Sequence, residues 1–438
     1  MRRRPALAIV LVGAIASLLT ACGGGNQKVT GVQPVDANCD DVQYAGSGQP
    51  SKLIVSDLPL QGDSAERSKQ QNAAIVQFLA RKGWQAGNTN VAFQACDDSL
   101  ASTGDWDEST CKSNARAYAR DPDVIGVIGT YNSGCAALEI PILNQAPGGG
   151  LAMVSPGNTL VCLTETASTC EKGQPRVFYP TGRRNYARVV PNDAVQSAGM
   201  ASFAHDEGVR RPFVLIANDD PTSEGQGMTF VGAAKSLGMQ VVGVQHYDPK
   251  AKAYAGLMKN AKAAGADAVY LGAILEENGA QLIKDKVSVL GPNDGAVKLL
   301  APDGFAQQST IDQAGPDSAG MFVSVPGKEP STLTGAGSAL VQELKAQVGD
   351  HPIETFAPYG AEAAEVLLAA IQSGVNRAGV IQSVFKTRVH GGIVGSFVIT
   401  PSGDPSPAAI AISRAARTFE LEKTISPPAP LVSAARGG

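Results

Sequence analysis

Short apolar runs alternate with helix-patterned segments twice along this chain, and no other feature constrains its fold as much. In the first series Leu53–Ser56, Val91–Ala95, Val124–Ile128 and Leu151–Val154 read as strands. Between them lies an amphipathic helix, Glu66–Lys82, with Ile75, Phe78 and Leu79 on one face and a stop at Gly83. Further helices are expected near 110–120 and 133–145. The second series runs strand Phe213–Ala217, helix 226–237, strand 240–246, helix 251–264, strand 267–273, helix 279–290, strand 297–301, helix 306–314 and strand 320–325. Strands alternating with helices predict βαβ units and parallel sheets, so two series predict two α/β domains. Residues 51–425 are also too many for one ordinary core. Residues 335–386 pattern as helices. Ile393–Thr400 and Ala408–Ile412 pattern as strands, with Pro401-Ser402-Gly403-Asp404 as a turn, and Thr418–Leu421 is a further strand candidate. The Pro/Ala/Gly-rich tail, 426–438, is expected to be disordered.

The first residues set the compartment. Arg2, Arg3 and Arg4 precede an apolar run from Ala6 to Leu19, and then comes Thr20-Ala21-Cys22-Gly23. A positive start, a short apolar run and a small-residue cleavage site make a secretory signal over 1–21. The run is shorter than the roughly 20 apolar residues a spanning helix needs, and no later stretch reaches that length. Leu19-Thr20-Ala21-Cys22 looks like a bacterial lipobox, which would make Cys22 the acylated residue and 22–50 a flexible, polar, lipid-anchored linker. Cleavage removes three arginine charges and takes the formal net charge from −4 to −7. With no basic cluster outside the signal, nucleic acid is not an expected partner. The six other cysteines allow about 15 disulfide pairings. Zinc is disfavoured, because no pair is spaced C-x-x-C and the chain has only 4 histidines. Cys162–Cys170 brackets a short polar segment; Cys111–Cys135 and Cys39–Cys96 are the pairings expected for the rest.

In open α/β sheets ligands bind beyond the carboxyl ends of the strands. After the first-series strands come Asp57-Leu58-Pro59-Leu60-Gln61-Gly62, Gly129-Thr130-Tyr131-Asn132-Ser133-Gly134 and Ser155-Pro156-Gly157-Asn158-Thr159. These offer hydroxyls, amides and backbone N–H groups at helix starts, which suit a carboxylate. The second series offers Asn218-Asp219-Asp220, Ile274-Leu275-Glu276-Glu277-Asn278 and Ala301-Pro302-Asp303-Gly304. Asp303 and Glu276 suit an ammonium, and an α-amino acid carries both charges side by side. Catalytic motifs are missing: there is no G-x-x-x-x-G-K-[ST], H-E-x-x-H or G-x-S-x-G. Ser133 at a helix start is a formal nucleophile candidate, with His205 or His246 as base, but nothing in the spacing brings them together.

In order along the chain, several blocks resemble type I periplasmic binding proteins of the leucine/isoleucine/valine-binding type. Asp57–Gly62 stands where that family has a P-x-S/T-G segment, and Ala95-Cys96-Asp97-Asp98 resembles its D-D. Val127-Ile128-Gly129 followed by Ser133 resembles its I-G-x…S block, and Met153–Thr159 is close to I-S-P-x-x-T. Arg188–Gln196 resembles R-x-x-P-x-D-x-x-Q, and Gly265-Ala266-Asp267-Ala268-Val269 is also typical. The resemblance covers roughly residues 50 to 425. It implies two Rossmann-like parallel-sheet lobes joined by a three-crossover hinge, the first 51–190 with 328–388 and the second 191–327 with 389–425. It also implies ligand carboxylate on Ser133 (or Asn132), on Gly157 through its backbone, and on Thr159, with the ammonium on Asp303 and Gln61 lining the cleft. Aromatic residues often found after the 267–273 strand are replaced here by Ile274 and Leu275, and the 99–110 and 160–175 segments look longer than usual.

The reading that follows is a monomeric, lipid-anchored substrate-binding component of an ABC importer. It binds an amino acid, branched-chain by default, needs no cofactor or metal, and docks on a permease. A ligand-sensing receptor of the same fold and an α/β hydrolase are the alternatives.

Overall fold

The computed structural model describes residues 29–101, 105–218 and 220–437. The expected signal, 1–21, and Cys22 lie outside the described residues. In chain order the first sheet is built from β1 (Lys52–Leu58), α1 (Ala65–Arg81), β2 (Gln85–Ala86), β3 (Thr89–Asp97), α2 (Glu108–Arg120), β4 (Val124–Gly129), α3 (Ser133–Asn144), β5 (Ala152–Ser155) and β6 (Tyr186–Arg188). The strands lie in the order β2-β3-β1-β4-β5-β6 and pair in parallel, apart from the antiparallel edge strand β2. Covered on both faces, β1 and β4 are apolar runs rather than alternating ones.

The second sheet follows: α4 (Asp193–Asp206), β7 (Pro212–Ala217), α5 (Pro221–Ser236), β8 (Gly243–Tyr247), α6 (Ala255–Ala263), β9 (Ala268–Gly272), α7 (Gly279–Leu290), β10 (Lys298–Ala301), α8 (Gln308–Ala314) and β11 (Phe322–Val325). The chain then returns to the first sheet with α9 (Ala336–Val348), α10 (Ala357–Ser373) and α11 (Arg377–Val384), α10 packing on α1. It makes a small antiparallel sheet of β12 (Arg388–Val389), β13 (Phe397–Ile399) and β14 (Pro405–Ser406). Finally β15 (Ile410–Ala415) and β16 (Phe419–Ile425) join the second sheet, in the order β16-β15-β11-β10-β9-β7-β8, and α12 (Ala429–Gly437) ends the described chain. Three passages between two α/β lobes result.

Two expectations are corrected. The tail is not disordered: α12 buries Leu431 and Ala435, one turn apart on one face, against α4 and α5. The linker is not a free tether over its described part either. Val32 and Val35 are buried, and Gln43 exchanges backbone hydrogen bonds with Phe93 at 2.7 and 2.9 Å. From there residues 29–50 form a strap along β3. The three disulfides are Cys39–Cys96, Cys111–Cys135 and Cys162–Cys170.

Helix α5 begins at Pro221, five residues before the expected start, because Asp220 caps it by accepting from the Thr222 N–H and Pro221 takes the first helical position. That shift brings Gln226 from the expected start into the helix body.

Candidate functional site

The carboxyl ends of both sheets meet at one cavity. Its lining comes from the loops after β4 (Tyr131, Asn132, Ser133), β5 (Gly157, Thr159), β9 (Ile274) and β10 (Asp303, Gly304), from the start of α5 (Asp220, Thr222, Gln226), and from Trp106. Its free space, counted to the mouth of the cleft, is about 340 Å³.

On the first lobe, Ser133 opens α3, and its Oγ accepts from the N–H groups of Thr159 (3.3 Å) and Leu160 (3.2 Å). Its own hydroxyl proton remains free to donate. Ser155 Oγ accepts from Gly157 (3.1 Å) and Asn158 (2.8 Å) and donates to the Thr130 carbonyl at 2.8 Å. The 155–160 loop is therefore rigid. The Gly157 N–H, expected to serve ligand, is used inside the loop. Glycine is required there for a different reason: a Cβ would come within 2.5 Å of the Tyr131 ring. Asn132 makes no side-chain cap bond to α3, and the first turn of a helix supplies partial positive charge.

On the second lobe, Asp303 is 4% exposed and accepts from Gln196 Nε2 at 2.9 Å. Burial pushes its carboxyl up to about 6, against the opposing hydrogen bond from Gln196. Asp193, at the start of α4, is wholly buried and is pushed up to about 8 by burial and by the charge of Asp303. Arg67 on α1 is 1% exposed; its guanidinium carbon stands 3.5 Å from the Tyr131 ring centroid and one nitrogen donates to Ser64 Oγ at 2.5 Å. Such a desolvated cation–π contact is worth about 2 kcal/mol.

Of the expected residues, Asn132, Ser133, Gly157, Thr159 and Asp303 are brought together at the cavity. Gln61 and Glu276 are not among its lining. The Gln61 amide donates to Asp97 at 2.6 Å. Glu276 accepts from Ser64 and, at 3.3 Å, from Gln307, so it joins the facing loops of the two lobes at the rim. Ser309 adds a second rim bond to the Asp63 carbonyl at 3.1 Å. His246, one of the two histidines considered as a base for Ser133, pairs instead with Glu224 at 2.8 Å, on the surface. Trp106, Tyr131, Thr222 and Gln226 line the cavity without having been singled out by the strand-loop reading, and Arg67 lies behind Tyr131. The Asp220-Pro221 helix start was a legible signal for Gln226; a lone tryptophan and a helix-face arginine carried none.

The raised carboxyls have a consequence for stability. Besides Asp303 and Asp193, burial raises Asp57 to about 6 and Asp105 and Glu354 to about 7. It also lifts Asp98 and Glu139 well above the ordinary carboxylate range, with the charge of Asp57 adding to each. A raised folded pKa means a contribution that is fully present below the unfolded value of about 4 and is lost as pH rises through the folded value. The unfolding midpoint of the protein without ligand should therefore fall between pH 5 and pH 8, by the equivalent of at least about 2 kcal/mol. A midpoint that is flat or rising over that window in thermal scans would contradict these assignments.

Comparisons with known proteins agree on one architecture. The family model described as periplasmic binding protein matches residues 104–411, the greater part of the chain. The leucine-binding protein LivK of Thermotoga maritima superposes with a TM-score of 0.72 at 21% identity, covering 86% of this chain and 99% of that one. The branched-chain amino acid transporter substrate-binding protein LivJ of Streptococcus pneumoniae, in complex with isoleucine, gives 0.68 at 13% identity over 85% and 98%. A solute-binding protein of an ABC transporter from R. palustris, in complex with benzoate, gives 0.67 at 15% identity over 86% and 96%. A search of the curated proteins found no match.

Proposed function

We propose that this chain, which belongs to the periplasmic binding protein family, is the extracytoplasmic solute-binding component of an ABC importer and takes an amino acid between its lobes. Its work is binding rather than turnover. The observation that carries the amino-acid reading is the polarity of the cavity. Ser133, Thr159 and the start of α3 on one lobe line the same cavity as buried Asp303 on the other. Carboxylate goes to the hydroxyls and the helix start, and ammonium to Asp303. The resolved neighbours with leucine-, isoleucine- and benzoate-binding descriptions share a carboxylate as their solutes' common group, which supports the first half of that placement.

In this reading the lobes are residues 51–190 with 328–388 and 191–327 with 389–425. Ligand bridges them and shifts the population toward the closed form by its greater affinity for that form. The closed form docks on the permease. A signal over 1–21 exports the chain and is removed, and acylation of Cys22 then holds the protein at the outer face of the cell membrane. Described helices include none long and apolar enough to cross a membrane.

Thermal unfolding against a panel of amino acids and simple organic acids tests this. A ligand at 100 times its Kd should stabilise by about 2.7 kcal/mol. Asp303→Asn should weaken amine-bearing ligands by about 10- to 100-fold, the range of a lost charged hydrogen bond. A ligand shift that survives Asp303→Asn unchanged would remove Asp303 from the site.

A further inference from the structure

The cleft holds more hydrogen-bond acceptors than an α-amino acid with an apolar side chain can satisfy. Asp303 and Asp220 both line it, from separate loops of the second sheet. Gln226, 2% exposed, stands with them: its Nε2 donates to Asp303 Oδ1 at 3.4 Å, which aims the amide. Its Oε1 is buried and has no hydrogen-bond partner among the described residues. On the facing lobe Asn132 Oδ1 is also buried and unpartnered. Trp106 and Tyr131 add aromatic surface to the same wall.

The charge balance points the same way. Glu277 accepts from Ser223 at 2.7 Å and from the Ile274 N–H at 2.9 Å, and burial together with the charge of Asp220 pushes it up to about 9. Burial also raises the Asp220 carboxyl above its ordinary value, although it accepts from the Thr222 N–H at 2.7 Å. Arg67 is already engaged by Ser64 and the Tyr131 ring. One α-ammonium can offset Asp303. Closing an aliphatic side chain onto this wall would leave the Gln226 amide oxygen with nothing to replace water and set apolar surface against the buried Asp220 carboxyl, which is costly.

We infer that the ligand carries a second cationic group, an ammonium or guanidinium on its side chain, held by Asp220 and Gln226 Oε1 against the rings of Trp106 and Tyr131. The solute class is a basic amino acid rather than a branched-chain one. The aromatic wall contributes by cation–π attraction and covers the aliphatic stem. The inference rests on the amino-acid reading of the same cleft.

Isothermal titration of the purified protein with L-arginine, L-lysine, L-leucine and L-isoleucine is the test. Arginine or lysine should bind at least about tenfold more tightly than leucine and isoleucine. Asp220→Asn keeps an N-cap for α5 and should reduce that preference by about tenfold. Gln226→Met, which removes the acceptor within a helix that tolerates methionine, should reduce it in the same direction, and serves if Asp220→Asn does not fold. Leucine or isoleucine binding as tightly as both basic amino acids would overturn this inference and leave the amino-acid function standing, as would a preference for basic ligands that neither variant alters. Binding of none of the four would overturn both.

Discussion

Asp404→Ala should destabilise the protein by about 3–5 kcal/mol, the range for removing one partner of a buried ion pair. Arg188, at the end of β6, has no exposed side-chain surface, and its Nε lies 2.7 Å from Asp404 Oδ1. The rest of the guanidinium donates to the carbonyls of Asn158 (3.1 Å) and Leu160 (3.0 Å) and to Thr164 Oγ1 at 2.5 Å. Asp404 accepts in addition from Thr164 (3.2 Å) and Ser402 (3.0 Å). One ion pair thus ties the 155–160 loop, the first passage between lobes and the turn between β13 and β14. Deleting the carboxylate strands a buried guanidinium. Burial works to raise the Asp404 carboxyl, but the charge and hydrogen bond of Arg188 outweigh it and hold the group below its usual value. Its contribution is therefore present above the unfolded pKa of about 4 and is lost as pH falls through the folded value. Denaturant unfolding at pH 7 should show the full loss, with the gap between wild type and variant closing toward pH 3. A loss below about 1 kcal/mol at pH 7 would mean that the carbonyls alone satisfy Arg188.

The alternation of apolar runs with helical segments made the two sheets legible, because parallel strands buried on both faces must be continuous apolar runs. What escaped lacked that contrast. Helix α4, Asp193–Asp206, is covered nearly all round by small residues such as Ala198, Ala201 and Ala204, so no polar face marks its period. Its Asn192 cap, which accepts from the Ala194 N–H at 3.1 Å, was a readable start. In α12 the Pro/Ala/Gly composition concealed two anchors, Leu431 and Ala435. The site divides along the same line. Ser133, Thr159 and Asp303 follow strands, and topology alone carries such positions to the cleft. Trp106 comes from an irregular stretch before α2, and Arg67 from a helix face whose burial depends on Tyr131 and Ser64, two residues that only the tertiary fold brings to it. The strand-end loops suggested a carboxylate side and an ammonium side, and the resemblance to a known family supplied a default, aliphatic ligand; the unpartnered amide oxygen of Gln226 emerges only from the packing.

The strap over β3 carries the other large expectation. Replacing Cys39 and Cys96 with serine opens a cross-link spanning a sequence separation of 57 residues, worth about 4 kcal/mol in the chain-entropy account of disulfides. Cys96 is wholly buried near the end of β3, and the strap pairs with that strand at several points: Asp40 N–H with the Ala95 carbonyl at 2.8 Å, Asp97 N–H with the Asn38 carbonyl at 2.8 Å, and Val35 N–H with Gln94 Oε1 at 2.9 Å. Where β2 ends, the strap takes over the free side of β3 and removes an edge that would otherwise present unpaired backbone groups. The serine pair should therefore act twice. The unfolding midpoint should fall, and the amides of Phe93 and Asp97 should exchange with solvent faster than those of β1 and β4, because the strap can peel before the lobe opens. The two effects separate the mechanisms. A lower midpoint with Phe93 and Asp97 still protected to the global limit would assign the disulfide's role to the unfolded chain alone. Rapid exchange at both amides with an unchanged midpoint would make the cross-link a local clamp on the edge of β3. A variant showing neither change would mean that Val32, Val35 and the backbone pairing hold the strap without the disulfide.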